Sequence, residues 1–318
     1  MNNNEKIKGN FYVLGDSLSD TGALVSGFTA LFKHLKIPKI VKMLPPFYKN
    51  SFSNGPVAAQ IIADYLHINL TSAWRFDLFL FADEQIGNNY AVSGALASRK
   101  KELTIESFVI NHFDITHQVD ALISQHHINS NDIILVEFGG NDILYAFKQS
   151  LLNDQEEIIN KALELIKNAL TKLINKGAQR ILLCNVPNMS IIPLFKNKEK
   201  DKERILNLTT NFNKMLDSVI EELNKNKKNI IKYDMFAAIT NAINKFKNFN
   251  INNNIIDSAV TTDFSEIINN GTIVPHFNEG VNEENINNYF FFDSIHPGKW
   301  AHNIMAQELI KLINNNKN

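Results

Sequence analysis

Four short apolar runs punctuate this chain: FYVL at Phe11–Leu14, DIILVEF at Asp132–Phe138, RILLCNV at Arg180–Val186 and IIKYD at Ile230–Asp234. Their length and residue types predict strands buried on both faces. A shorter strand is predicted over Asn89–Val92. Between these runs, apolar residues recur at three- and four-residue spacing, which predicts helices over Thr21–Phe32, Gly55–Leu66, Ile115–His126, Glu156–Lys176, Lys202–Asn226, Phe236–Phe246 and Lys299–Ile313. In the Lys202–Asn226 segment, Ile205, Leu208, Phe212, Met215, Leu216, Val219 and Leu223 form one stripe and read as core. Strand and helix alternate throughout, the pattern of an α/β fold: a mainly parallel sheet, here of five strands, with helices on both faces.

Two stretches break the rhythm. Residues of about 33–54 carry three prolines among lysines and isolated apolar residues, and about 247–288 is Asn-rich with only short apolar pieces. Both read as insertions. No internal repeat and no separating linker is visible, so the expectation is one domain over 1–318, although length alone fits one domain or two.

Composition narrows the class. With 318 residues, 44% hydrophobic, the chain can bury a large core, and 32 basic against 33 acidic residues leave a formal net charge of -1. That balance argues against nucleic acid as a partner, and no protein partner can be inferred. The single cysteine, Cys184, excludes an internal disulfide and a cysteine-rich metal site, and it reads as a small core residue. No apolar run reaches the roughly 18 to 20 residues of a membrane span. The N-terminal stretch MNNNEKIKGN is polar and has no secretory apolar segment. Two compartments stay open: the cytoplasm, or outside the cell with a signal removed or none needed.

Candidate chemistry gathers where strands end in glycine. The first strand runs into Gly15-Asp16-Ser17, and Ser17 has two readings: a cap opening the next helix, or a nucleophile set among outward-pointing N–H groups. The second strand ends at Ser93-Gly94, and the third at Gly139-Gly140-Asn141-Asp142. Near the C-terminus, Asp293 and His296 stand three apart before a Pro-Gly turn, either as a surface turn or as a base oriented by its acid. A parallel sheet brings all of these to its carboxyl edge, where ligands bind in open α/β sheets. Together they supply a nucleophile, a base with its acid, and oxyanion donors.

Four ordered blocks carry a family resemblance: GDSLSDTG at Gly15–Gly22, NYAVSGA at Asn89–Ala95, GGND at Gly139–Asp142 and DSIHP at Asp293–Pro297, with SFSNGP at Ser51–Pro56 as a fifth. The chain resembles the GDSL or SGNH hydrolases, in the branch of bacterial lipases, lysophospholipases and lipid acyltransferases, over nearly its whole length. The resemblance implies a three-layer α/β/α flavodoxin-like fold with no metal and no cofactor. It implies Ser17 as nucleophile, Asp293 and His296 as acid and base, and the Ser17 N–H, Gly94 and Asn141 as oxyanion donors. Ala23 stands where this branch often has Asn, and Ser93 where it often has Gly. The nucleophile is not in a GxSxG elbow, as expected of a triad on a different framework. Asp20 and Asp142 read as loop-bracing carboxylates, Glu137 as a packed or paired residue, and His126, His127 and His276 as surface or core residues.

The function expected on this basis is a serine ester hydrolase of lipid acyl esters, a lysophospholipase or phospholipase A with accompanying acyl transfer. A carbohydrate acetylesterase or other short-chain esterase is the alternative, and a non-catalytic binding module a third reading. Between Ala23 and Leu44, apolar residues mix with Lys33, Lys36, Lys39 and Lys42. That stretch reads either as a solvated segment packed on the core or as a basic amphipathic surface making transient contact with a membrane.

Overall fold

In a computed structural model of the chain, residues 9–316 are described, except 38, 77–81, 103, 105, 106, 108 and 109. The polar N-terminal stretch lies outside the described residues up to position 8. The central sheet consists of β1 (Phe11–Leu14), β5 (Ile133–Glu137), β6 (Ile181–Cys184) and β7 (Ile230–Tyr233), in the order β1-β5-β6-β7 with every pair parallel. Every residue of β1, β5 and β6 is buried, as their uninterrupted apolar sequences require.

The predicted strand at Asn89–Val92 lies along β1 but forms no extended ladder. One parallel bridge joins Val13 to Asn89. Backbone bonds run from Val13 N to Asn88 O (2.9 Å), Tyr90 N to Val13 O (2.8 Å) and Val92 N to Gly15 O (3.2 Å). The local cause is Asn89, whose amide donates to Ser19 O and Thr21 Oγ1 while its oxygen accepts from Ala91 N. With this segment in the fifth place the order is flavodoxin-like, 2-1-3-4-5, and its switch point falls between β1 and β5.

The helices form two packed sets, one on each side of the sheet. One comprises α2 (Ala58–Tyr65), α7 (Met235–Phe249) and α9 (Lys299–Asn315). The other comprises α3 (Ile115–Gln125), α4 (Gly140–Phe147), α5 (Leu152–Asn175) and α6 (Glu199–Leu223). Asp114 caps α3 through His117 N (2.9 Å) and Asp234 caps α7 through Ala237 N (3.1 Å). On α6, Ile205, Phe212 and Leu216 are buried as the stripe predicts, but Met215 is 40% exposed. It sits on the shoulder of the stripe, one position before the buried Leu216.

The two irregular stretches fold against each other. After α1 (Ala23–His34), β2 (Lys42–Met43) pairs in parallel with β10 (Thr272–Phe277), which pairs antiparallel with β9 (Val260–Asp263). The short α8 (Glu266–Asn270) joins β9 to β10. Phe32, Val41, Phe47, Phe52, Ile273 and Phe292 are among the members of a second apolar core beneath this small sheet. The chain leaves the main body through β8 (Asn254–Ser258) and returns through β11 (Tyr289–Phe291), and the two pair in parallel. A separate antiparallel pair is formed by β3 (Trp74–Phe76) and β4 (Ala82–Glu84). Among the described residues no helix is long and apolar enough to cross a membrane.

Candidate active site

At the end of β1 the backbone passes so close to β5 that a Cβ on Gly15 would sit 3.1 Å from Glu137 O. The chain then turns, with Ser19 N (3.2 Å) and Asp20 N (3.0 Å) both donating to Asp16 O. Ser17 lies within this turn. Helix α1 begins only at Ala23, with Gly22 as its N-cap, so the helix-cap reading of Ser17 is overturned. The Ser17 hydroxyl instead meets a side chain from the far end of the sequence.

That side chain is His296, whose Nε2 lies 2.8 Å from Ser17 Oγ. On the other side of the ring, Nδ1 lies 2.9 Å and 2.8 Å from the two carboxylate oxygens of Asp293. Asp293 Oδ1 also accepts from the backbone N–H groups of Ile295 (2.9 Å) and His296 (2.8 Å), which fixes the turn that carries both residues. Phe52 covers one face of the imidazole, its ring stacked at 4.8 Å and 30°. Phe52 packs edge-on against Phe47, and Phe47 against Phe292, the residue before Asp293. The second core therefore presses directly on the Asp293–His296 turn.

Electrostatics follow from burial and pairing. Burial alone would raise the Asp293 carboxyl, but the charge and hydrogen bonds of His296 outweigh it and hold it below its ordinary value. Burial alone would lower His296, and the Asp293 carboxylate overcomes that to raise it above 6.5. Asp16 is pushed up to about 6 and Glu137 to about 7, both mainly by burial. Glu137 accepts from the Ser19 hydroxyl, while its Oε1 has no hydrogen-bond partner among the described residues.

Of the expected oxyanion donors, Ser17 and Asn141 line the same cavity. Neither Ser17 N nor Gly94 N has a backbone or side-chain acceptor among the described residues. Gly94 has φ +84, a left-handed conformation that favours glycine. The Asn141 amide donates to Ala95 O (2.9 Å) and, at a longer 3.2 Å, to Asp16 Oδ2. The longer bond is the one for which an incoming oxyanion would compete.

Asp20 and Asp142 brace loops, as expected. Asp20 accepts from Gly22 N and Ala23 N, each at 2.7 Å, and from Ser93 N (2.9 Å) and Ser93 Oγ (2.7 Å). The serine at position 93 thus adds a bond that glycine would lack. Asp142 accepts from Ala97 N (2.9 Å) and from Ser98 N (2.8 Å) and Oγ (2.5 Å). His126 donates to Gly87 O (2.7 Å), and His127 and His276 are exposed. His302, which the sequence did not single out, is buried on α9; its Nδ1 accepts from Ala58 N (3.3 Å), and burial lowers it to about 3, so it is neutral. Among the described residues no three His, Cys, Asp or Glu side chains gather in a way that would hold a metal ion.

Beside Ser17 a cavity of about 70 Å³ opens between the sheet edge and the helices. Leu144, Ile191, Ile192 and Ile295 line it near the serine. Met235 and Met305, both buried, are among its other lining residues. The arrangement can deprotonate a serine hydroxyl beside an apolar-lined space.

Over 212 residues the chain is 26% identical to a phosphatidylcholine-sterol acyltransferase of Aeromonas hydrophila, covering 66% of this chain and 54% of the relative. Over 241 residues it is 24% identical to an acetylajmalan esterase of Rauvolfia serpentina, covering 67% and 61% respectively. The match therefore spans less than two thirds of either relative's length. Among solved structures, an acetylxylan esterase of Geobacillus stearothermophilus is similar with a TM-score of 0.46 and 12% identity, covering 97% of this chain and 96% of that one. The model of the GDSL-like lipase/acylhydrolase family matches residues 11–309, nearly the whole described chain, and the protein belongs to that family.

Proposed function

We propose that this chain, read as one domain with two insertions, is a serine ester hydrolase that works through an acyl-enzyme. Ser17 Oγ attacks the ester carbonyl as its proton passes to His296 Nε2, and Asp293 supports the imidazolium through Nδ1. The oxyanion draws on Ser17 N, Gly94 N and the Asn141 amide. His296 then gives the proton to the departing alkoxide. Water, or a second alcohol, enters by the same steps in reverse and releases the acyl group. The observation that carries this reading is the unbroken chain Ser17 Oγ–His296 Nε2 (2.8 Å) and His296 Nδ1–Asp293 (2.8 Å) at the switch point of the sheet.

The apolar cavity beside Ser17 supports an apolar acyl group as the part of the substrate held there, and its size favours short to medium chains. Lipid as acyl donor is the second reading. It is favoured by the relative named as a phosphatidylcholine-sterol acyltransferase, and by the exposed Lys33, Lys36 and Lys42 beside exposed Leu35 and Ile40. A panel of soluble acyl esters, acetylated sugars and lysophospholipids, with products identified by mass, tests the assignment. Release of carboxylic acid from the acyl esters is expected. If only acetylated sugars turn over, the acyl-pocket reading falls.

A further inference from the structure

We propose that Glu137 is a positioning residue for the nucleophile: by accepting the Ser19 hydroxyl, it fixes the turn that presents Ser17 to His296. The proposal rests on the hydrolase reading above and assigns a role to the buried acid that the steps of that reading leave unused.

The ladder between β1 and β5 ends with Leu14 opposite Val136, so the turn that follows is tied to β5 by side chains. Glu137 is the last residue of β5, and its carboxyl reaches back along Gly15, where a Cβ would lie 3.7 Å from Oε2. That same oxygen accepts from the Ser19 hydroxyl. From the other flank of β1, the Asn89 amide donates to Ser19 O (2.9 Å). Ser19 is thereby anchored on both sides of the strand. The turn itself closes on Asp16, whose backbone oxygen accepts from Ser19 N (3.2 Å) and Asp20 N (3.0 Å) and whose Oδ1 accepts from Leu18 N (3.1 Å). Ser19 is fully buried and Glu137 is 2% exposed, so water cannot stand in for either partner. Ser17, two residues before Ser19, has to keep its hydroxyl 2.8 Å from His296 Nε2. A misplacement of about 1 Å at such a contact can cost about 10²-fold in rate.

The alternative is that Glu137 merely packs. Its surroundings make it a poor packing residue. Burial lifts its carboxyl to about 7 against the lowering effect of the Ser19 bond, and the charge of Asp16 raises it further. Its Oε1 has no hydrogen-bond partner among the described residues. A leucine of similar volume would carry none of these penalties, and replacing both partners of a buried hydrogen bond by apolar groups is often nearly neutral for stability. An acid that burdens the core while bonding the nucleophile's turn is the kind of local violation found at functional sites. The Ser19 hydroxyl needs only an acceptor oxygen, which the amide of glutamine also supplies.

The test compares Glu137→Gln, Glu137→Leu, Ser19→Ala and the combined Ser19→Ala/Glu137→Leu variant. Each is measured by steady-state kinetics on a soluble short-chain ester and by the rate at which a fluorophosphonate labels Ser17, and thermal melts identify the variants that fold. Glu137→Leu is expected to lower kcat and the labelling rate by about 10- to 100-fold with KM within about threefold of wild type. Glu137→Gln is expected to stay within about threefold of wild type in both rates. The combined variant should be no slower than Glu137→Leu alone, because the two residues act through one bond. A folded Glu137→Leu with wild-type kcat and labelling overturns the proposal. So does a Glu137→Gln as slow as Glu137→Leu, or losses from Ser19→Ala and Glu137→Leu that multiply in the combined variant. If Glu137→Leu does not fold, Ser19→Ala decides, and an unchanged labelling rate there overturns the proposal. Those results leave the hydrolase reading standing, whereas wild-type protein that neither turns over esters nor labels at Ser17 would remove both.

Discussion

Replacing Asp293 with asparagine isolates what the buried carboxylate does for His296. The charge centres of the pair lie about 4 Å apart, and at an effective dielectric constant of about 20 their attraction is about 4 kcal/mol, or nearly three decades in rate. A second effect adds to it. An asparagine amide in place of the carboxylate would donate to Nδ1, moving the ring proton to Nε2, where it would face Ser17 Oγ as a donor instead of accepting from it. In a serine protease with the same arrangement the two effects together cost about 10⁴-fold, so a loss of about 10³- to 10⁴-fold in kcat is expected. The pH profile separates this from general damage. Only neutral imidazole can act as the base, and His296 is raised above 6.5 by Asp293 against the effect of burial. Wild-type kcat/KM should therefore fall with acidification along a limb centred above pH 6.5. In Asp293→Asn only the weaker pull of Asp16 still opposes burial, so the limb of the residual activity should move to lower pH. Asp16 at about 6 and Glu137 at about 7 titrate nearby, so the shift between the two proteins, not the wild-type limb alone, assigns the group. Initial rates on a soluble short-chain ester, followed by pH-stat between pH 5 and 9 (roughly the span around these values), provide the readout. A loss below tenfold, or an acid limb that does not move, would refute the reasoning.

Asn141→Ala should lower kcat by about 10²- to 10³-fold with a smaller change in KM, as expected for loss of one oxyanion donor; steady-state kinetics showing an unchanged kcat would make Asn141 a turn residue only. Phe52→Leu removes an aromatic contact of about 0.5–1.5 kcal/mol from the face of His296, so kcat should fall about two- to tenfold with KM nearly constant, and Phe52→Tyr should restore it. Replacing Lys36, Lys39 and Lys42 together by glutamine should weaken action on anionic vesicles, at about 1 kcal/mol for each lysine near the surface. Turnover of a soluble ester should stay the same, and equal turnover of vesicles by both proteins would remove the lysines from lipid recognition.

The strands β1, β5 and β6 were legible because each is an apolar run buried on both faces, and β7 by its apolar residues around a half-buried Lys232. Their glycine-terminated ends carried candidate residues with them: Ser17, His296 and Asp293 are joined by hydrogen bonds, and the Asn141 amide reaches Asp16 beside Ser17. Asn89–Val92 was legible as a segment but not in its pairing, because the side chain of Asn89 competes with the ladder for backbone partners. The small sheet was not legible. Lys42–Met43 pairs with Thr272–Ile273 across most of the chain, and a two-residue strand carries no periodicity of its own. Helix α4 was likewise hidden inside the GGND motif, where glycines signal a turn before the apolar residues that follow. Phe52 lay within a recognised motif, yet nothing local marks it as the partner of a histidine some 240 residues away; that contact exists only because the two insertions share a core.

The central claim is that Ser17 is the atom that carries the acyl group. Treating the protein with a fluorophosphonate and mapping the adduct by peptide mass spectrometry tests it most directly. The account predicts a single adduct on Ser17, loss of ester hydrolysis in proportion to labelling, and neither label nor turnover in folded Ser17→Ala. An adduct on another residue, or turnover retained by Ser17→Ala, would contradict it.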